Sequence, residues 1–243
     1  MLLPATRHTS LLSPTTPPGK LPSALPLRAV IVLDLRGNAI SGPLRASLFT
    51  ELPALQSLDL TSNALTGPVP SSFGAATSGL RMLALSENRL VGPVPESIGD
   101  CTALRHLALA GNALTGELPA LGPRLTLLAK CYLNDNRFSG GLGGLGPLES
   151  LTELWASTNA LQGPVPGGLF VGSPRLARLY LYANRLTGPM PVEAAAECPL
   201  EVLDVSGNAG LELDAADPES DDAALRVAPL DRLAALTKAR CLG

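Results

Sequence analysis

Leu55–Pro70 reads LQSLDLTSNALTGPVP, and Leu80–Pro95 reads LRMLALSENRLVGPVP. Each is a short run with alternating leucines, an asparagine, and a Gly-Pro return. Asparagines stand at 38, 63, 88, 112, 136, 159, 184 and 208, a spacing of 23 to 25 residues. A near-constant period over eight copies predicts a solenoid, in which each copy buries its apolar face only against its neighbours. Counting each of these asparagines as position 9, positions 1, 4 and 6 are aliphatic almost throughout, as in Leu80, Leu83 and Leu85. Alternation at positions 4 and 6 is the period of a strand with one buried face. Cys131 takes position 4 of the fifth copy and is expected to serve as a small buried hydrophobe.

The asparagine has a physical reason. After the strand the chain turns while its backbone still faces the interior, and an amide side chain both donates and accepts. A carboxylate could only accept, and would bury a charge. Of nine asparagines, only Asn134 stands outside this column. Glycine recurs at position 13, from Gly42 to Gly188, and prolines such as Pro68 and Pro70 stiffen the return.

Composition narrows the function. The chain has 243 residues, 46% of them hydrophobic but only 3% aromatic, so the core must be aliphatic. The 18 basic and 21 acidic residues leave no basic field for a nucleic acid. No apolar run approaches the roughly 20 residues that span a bilayer. Cys101, Cys131, Cys198 and Cys241 form no CxxC pair, and His8 and His106 lie far apart, so neither a metal centre nor any other cofactor is expected.

The pattern LxxLxLxxNxLxGxxP over residues 28–211 resembles the plant-type leucine-rich repeat of receptor-like kinase and receptor-like protein ectodomains and polygalacturonase inhibitors. The resemblance implies an α/β-type repeat solenoid. That is a right-handed superhelix with a concave parallel sheet and a convex side of irregular or short 3-10 segments. It also implies binding of proteins, peptides or small ligands on the concave or lateral surface. The chain departs from the family in three ways. It has no cysteine before Cys101, no kinase motifs after the repeats, and no Asn-x-Ser/Thr sequon. These departures and the absence of a recognisable signal segment tilt the expected compartment toward the cytoplasm, cytoskeleton or cilium. The family itself points to the cell surface.

Residues 1–26 are rich in Pro, Ser and Thr and carry no acid. They are expected to be a disordered leader ending in a degenerate half-repeat at Gly19-Lys20-Leu21-Pro22. Residues 27–213 hold the eight repeats, the last of which loses register after Asn208. Residues 214–243 are expected to form an acidic linker and a helical cap on the exposed terminal repeat, where Cys198 and Cys241 could approach.

The side chains of positions 2, 3, 5, 7 and 8 should face outward from the sheet. Position 5 reads Asp34, Asp59, Ala84, Ala108, Tyr132, Trp155, Tyr180 and Asp204, and position 7 adds Tyr182. All three tyrosines and the single tryptophan thus fall on one face in consecutive copies, with Arg105, His106, Lys130, Asp135, Glu153 and Arg178 around them. Tyr, Trp and Arg dominate interface hot spots. The expected ligand is a protein or peptide. A carbohydrate, or a cell-wall enzyme to be inhibited, is a second reading. A passive intracellular scaffold, whose aromatics merely cover the sheet, is a third. Catalysis finds no motif: Asp34 and Asp59, with Arg36 beside them, read as a solvated face. Phe49, Phe73, Phe138 and Phe170 lie outside the strands and should pack inside or on the convex side.

Overall fold

The computed structural model describes residues 28–71 and 78–212, together with the backbone of two short strands, His8–Thr9 and Gly19–Lys20. Among the described residues, nine parallel strands form one long sheet, ordered as they occur in the sequence. From Val32–Asp34 to Val202–Asp204, each repeat contributes a three-residue strand covering positions 3 to 5. Register is constant. Position 3 aligns Val32, Ser57, Met82, His106, Lys130, Glu153, Arg178 and Val202. The central residue of every strand points inward, and Cys131 is as fully buried as the leucines it replaces. Burial pushes its thiol pKa up to about 12, so it is inert as a nucleophile.

The return segments form further parallel sheets, which run from Gly19–Lys20 to Arg137–Ser139 and from Gln162–Gly163 to Gly210–Glu212. On the opposite side, among the described residues, five copies close with one short turn of helix. Ser47–Glu51, Gly167–Val171 and Val192–Ala196 are α-turns; Glu96–Asp100 and Leu142–Leu145 are 3-10. Phe49, Phe138 and Phe170 are fully buried among the leucines. Phe73 lies outside the described residues. So do the greater part of the leader, the acidic linker, the helical cap and Cys241. His8–Thr9 aligns with Val32 and Leu33, and Gly19–Lys20 with Ile40 and Ser41. Cys198 is buried, and its thiol donates to Phe170 O at 3.3 Å.

The asparagines form a continuous ladder. Asn63 Oδ1 accepts the Ile40 N–H of the copy before it at 3.0 Å, while its Nδ2 donates to Leu35 O of that copy and to Leu60 O of its own. The same arrangement repeats for the backbone N–H groups of Leu65, Leu90, Leu114, Phe138, Leu161 and Leu186. Asn38, at the start, makes its own-copy bonds, and its Oδ1 has no partner among the described residues. At the other end the ladder persists but the return strand slips. Gln162 faces Arg185, one residue after Asn184, whereas Thr187 faces Gly210, two residues after Asn208.

The residue before each asparagine turns the chain with positive φ. Gly37, Gly111 and Gly207 do so freely, but Ser62, Glu87, Asp135, Thr158 and Ala183 occupy the same left-handed region. Thr158 is the strained case, a β-branched residue at φ 53°. Its side chain is exposed. Left-handed strain of roughly 1–2 kcal/mol is partly offset by the extra freedom glycine gains in the unfolded chain. Thr158→Gly is therefore expected to raise stability by about 0.5–1 kcal/mol, measured as a later urea midpoint.

Candidate functional site

Positions 3 and 5 of copies four to seven lie on the outer face of the long sheet, and constant register stacks their side chains in two rows. In the position-5 row, Tyr132 and Trp155 ring centroids are 5.2 Å apart with planes at 51°, and Trp155 and Tyr180 are 4.9 Å apart at 60°. His106, from position 3 of the preceding copy, extends the chain of rings: it meets Tyr132 edge-on at 5.2 Å and 83°. Tilted and edge-to-face contacts of this kind are the favoured geometry for aromatic pairs. Trp155 remains 37% exposed at the centre of the run. Beyond Tyr180, position 5 is Asp204, whose Oδ1 accepts from the Ser206 N–H and hydroxyl.

The position-3 row is Lys130, Glu153 and Arg178. Glu153 is buried, and its Oε1 lies 3.1 Å from Lys130 Nζ and 3.3 Å from Arg178 Nη1. Its Oε2 accepts the Tyr132 hydroxyl at 2.7 Å, which ties the charged row to the ring row. Arg178 reaches on to Glu201 at 3.2 Å. Burial by itself would raise the Glu153 carboxyl. The Tyr132 hydroxyl, the Lys130 ammonium and Arg178 outweigh it and hold the carboxyl below its ordinary value. Burial and the bond to Glu153 push the Tyr132 phenol up. Burial, reinforced by Lys130, holds the His106 imidazole below its ordinary value, so it is neutral at pH 7.

The His106 shift has a sign that can be tested. The unfolded chain takes up a proton at His106 before the folded one does. The stability this neutral imidazole contributes is complete above about pH 6.5 and is lost as pH falls below it. Urea midpoints from pH 7.5 to 5.5 should fall more steeply for the native chain than for His106→Asn.

The structure thus brings His106, Tyr132, Trp155, Tyr180, Lys130, Glu153 and Arg178 together, with Glu201 as a member that strand periodicity did not single out. Three other expected residues stand apart. Tyr182 is exposed at position 7 and makes no ring contact among the described residues. Asp135 sits at the positive-φ turn, where it accepts from Asn134 Nδ2 at 2.6 Å. Arg105 is exposed at the strand entrance.

The reading of Asp34 and Asp59 as a solvated face needs correction. Asp59 is only 6% exposed, and Arg36 bridges the two, bonding Asp34 Oδ2 at 2.7 Å and lying 3.5 Å from Asp59 Oδ2. Desolvation works against the Asp34 charge, but its bonds from Arg36 prevail and lower its pKa. In each of the three copies with aspartate at position 5, one oxygen accepts the N–H of position 7. These aspartates close the strand end, a structural duty.

A shallow groove lined by Pro43, Leu44, Pro68, Val69, Pro93 and Pro95 follows the return segments and shares no residue with the rings. Among the described residues, no cluster of His, Cys, Asp and Glu could hold a metal, and no helix is long and apolar enough to cross a membrane.

Comparison with known proteins agrees with this architecture. A family model described as Leucine Rich Repeat matches residues 54–76. No curated protein sequence matches the chain. Among solved structures, the chain is similar to a TDR receptor at 32% identity and a TM-score of 0.73, over 80% of this chain and 33% of that one. It is similar to the plant peptide hormone receptor RGFR1, solved with RGF2, at 30% identity and a TM-score of 0.71, over 80% and 31%. A third is the Arabidopsis receptor kinase HAESA, solved with the peptide hormone IDA and the co-receptor SERK1, at 27% identity and 0.64, over 80% and 39%. The chain spans only about a third of the length of the first two. Periodicity, the asparagine ladder, the parallel sheets and these likenesses agree: the chain is a leucine-rich-repeat protein of the plant type.

Proposed function

We propose that this chain is a non-catalytic recognition module that binds a peptide or protein segment on the concave face of the solenoid, across copies five to seven. The observation that carries the reading is the continuous run of rings from His106 to Tyr180 on an outward face, with Trp155 open to solvent at its middle. Desolvating Tyr and Trp side chains that are already held in place costs little conformational entropy, which is why such residues anchor interfaces. The solved receptors similar to this chain, HAESA with IDA and RGFR1 with RGF2, hold peptide hormones and favour the same class of ligand, in a cell-surface or extracellular setting. The ring tilts of 51° and 60° speak against the carbohydrate reading, because a sugar ring stacks best on a flat face, whereas wedges between tilted rings suit side chains.

The test is selection of peptides from a random display library on the full chain, followed by titration. Trp155 is the only tryptophan, so its fluorescence reports directly from the proposed site. Selected peptides should shift its emission, and Trp155→Ala with Tyr180→Ala should weaken their binding roughly 30-fold or more, read by the anisotropy of a labelled peptide. Unchanged affinity in the double variant would move the site off this face.

A further inference from the structure

The outer face of the long sheet is electrically uneven. Its cations at positions 2 to 7 are Arg36, Arg81, Arg105, Lys130 and Arg178. Arg36, Lys130 and Arg178 each meet a carboxylate. Arg81 and Arg105 do not. Both are exposed at position 2, and neither side chain has an ion pair or hydrogen bond among the described residues. They occupy adjacent rungs, since the Arg105 N–H donates to Arg81 O at 2.8 Å. Like charges side by side on neighbouring strands repel. Next to Arg105 in the chain, His106 adds a buried Nε2 with no partner among the described residues. From Arg105 the position-2 row continues through Ala129, Thr152 and Ala177, small residues that leave a lane beside the rings.

We infer that the ligand is an acidic peptide segment, its carboxylate seated between Arg81 and Arg105 while a neighbouring apolar side chain packs on the rings. This rests on the concave-face reading above. Guanidinium forks suit a carboxylate, which they can grip with two parallel bonds. Positions 2 and 5 are separated by about 10 Å along a strand, and strands by about 4.8 Å, so the arginines lie roughly 11–14 Å from the Tyr132 end of the rings. An extended peptide covers that distance in about three or four residues. Among the described residues of this face only two adjacent cations are free, and no further cation follows them in the position-2 row, which fits one local acid better than a uniformly charged polysaccharide.

The experiment uses the full chain and synthetic ten-residue peptide pools. In each pool a fixed tyrosine is separated from one aspartate, asparagine or lysine by three residues. The aspartate pool should bind about tenfold more tightly than the asparagine pool, by anisotropy at low salt. Arg81→Glu with Arg105→Glu should reverse the preference toward lysine, and Arg81→Gln with Arg105→Gln should erase it. Equal binding of the aspartate and asparagine pools, with both weakened by Trp155→Ala, overturns the acidic-peptide inference and leaves the concave site standing. Binding that Trp155→Ala does not weaken, or no binding at all, sinks the concave reading and this inference with it. Capture of polygalacturonate in preference to every pool also overturns it, making the occupant an acidic polysaccharide.

Discussion

Replacing Asn184 with alanine is expected to destabilise the solenoid by about 3–5 kcal/mol. Asn184 is 8% exposed. Its Oδ1 accepts the Leu161 N–H, and its Nδ2 donates to Ala156 O and Leu181 O, each at 3.0 Å. The two carbonyls keep other amide partners, Asn159 and Asn208. The Leu161 N–H is left with none, and a buried orphan donor costs roughly 1–3 kcal/mol, to which the lost bonds to the two carbonyls add about 1 kcal/mol apiece. Asn134, half-buried at position 7 and bonded to the exposed Asp135, provides the control: its alanine variant should shift stability by less than about 0.5 kcal/mol. Asn184→Asp sharpens the test, because its pH dependence runs the other way. Burial against two carbonyls raises the folded-state pKa of the new carboxyl, so this variant regains stability as pH falls toward 4. Urea unfolding of the three variants at pH 7 and pH 5 checks both signs.

The second large effect is at Glu153. Its alanine variant removes the acceptor shared by Lys130, Arg178 and Tyr132 and leaves two cations facing an apolar gap. Breaking a fully buried pair costs roughly 3–5 kcal/mol; here both cations are about half exposed, so a loss of about 2–3 kcal/mol is expected. Glu153→Gln keeps the size and one acceptor, and should lose about half as much. Because the native carboxyl titrates below its ordinary value, its contribution is present above pH 4.5 and disappears as pH falls through its folded pKa. The native chain should therefore lose more stability than Glu153→Gln between pH 5 and pH 3. The Tyr132 hydroxyl loses its anchor in the alanine variant. The aromatic near-ultraviolet circular dichroism of the ring row should weaken even where the protein remains folded.

The fold was legible in the sequence because its cause is local and repeated. One amide column, three leucine positions and a glycine return recur often enough that Cys131 can stand in for leucine without obscuring the period. The left-handed turn before each asparagine was harder to read. Gly37, Gly111 and Gly207 mark it, but Ser62, Glu87 and Thr158 adopt it against their own preference, since a regular stack dictates the backbone there. At the site, strand alternation put Tyr132, Trp155 and Tyr180 in one row. It could not show that Glu153 is the buried junction of its surroundings, because a charged letter at position 3 reads as rim until the lengths of Lys130 and Arg178 are seen converging on it. Nor could counting separate Tyr182 from the rings: outward-facing is a weaker condition than contact. Asp34 and Asp59 escape a reading by spacing for a related reason. A short carboxylate can turn back on its own strand and accept from position 7, and spacing along the sequence carries no sign of that.

The asparagine ladder gives the molecule a direction. Each amide serves the copy before it, so the two ends do not fray alike. Peeling away the first copies deprives an asparagine of a donor, the condition of Asn38 Oδ1 among the described residues. Peeling away the last copy strips Asn208 from the Leu186 N–H and leaves a main-chain amide bare. Deuterium uptake at Leu186 would therefore clock the opening of a repeat to which Leu186 does not belong, and the amides of Leu161, Phe138 and Leu114 would register each further step of an unzipping that begins at the carboxyl end.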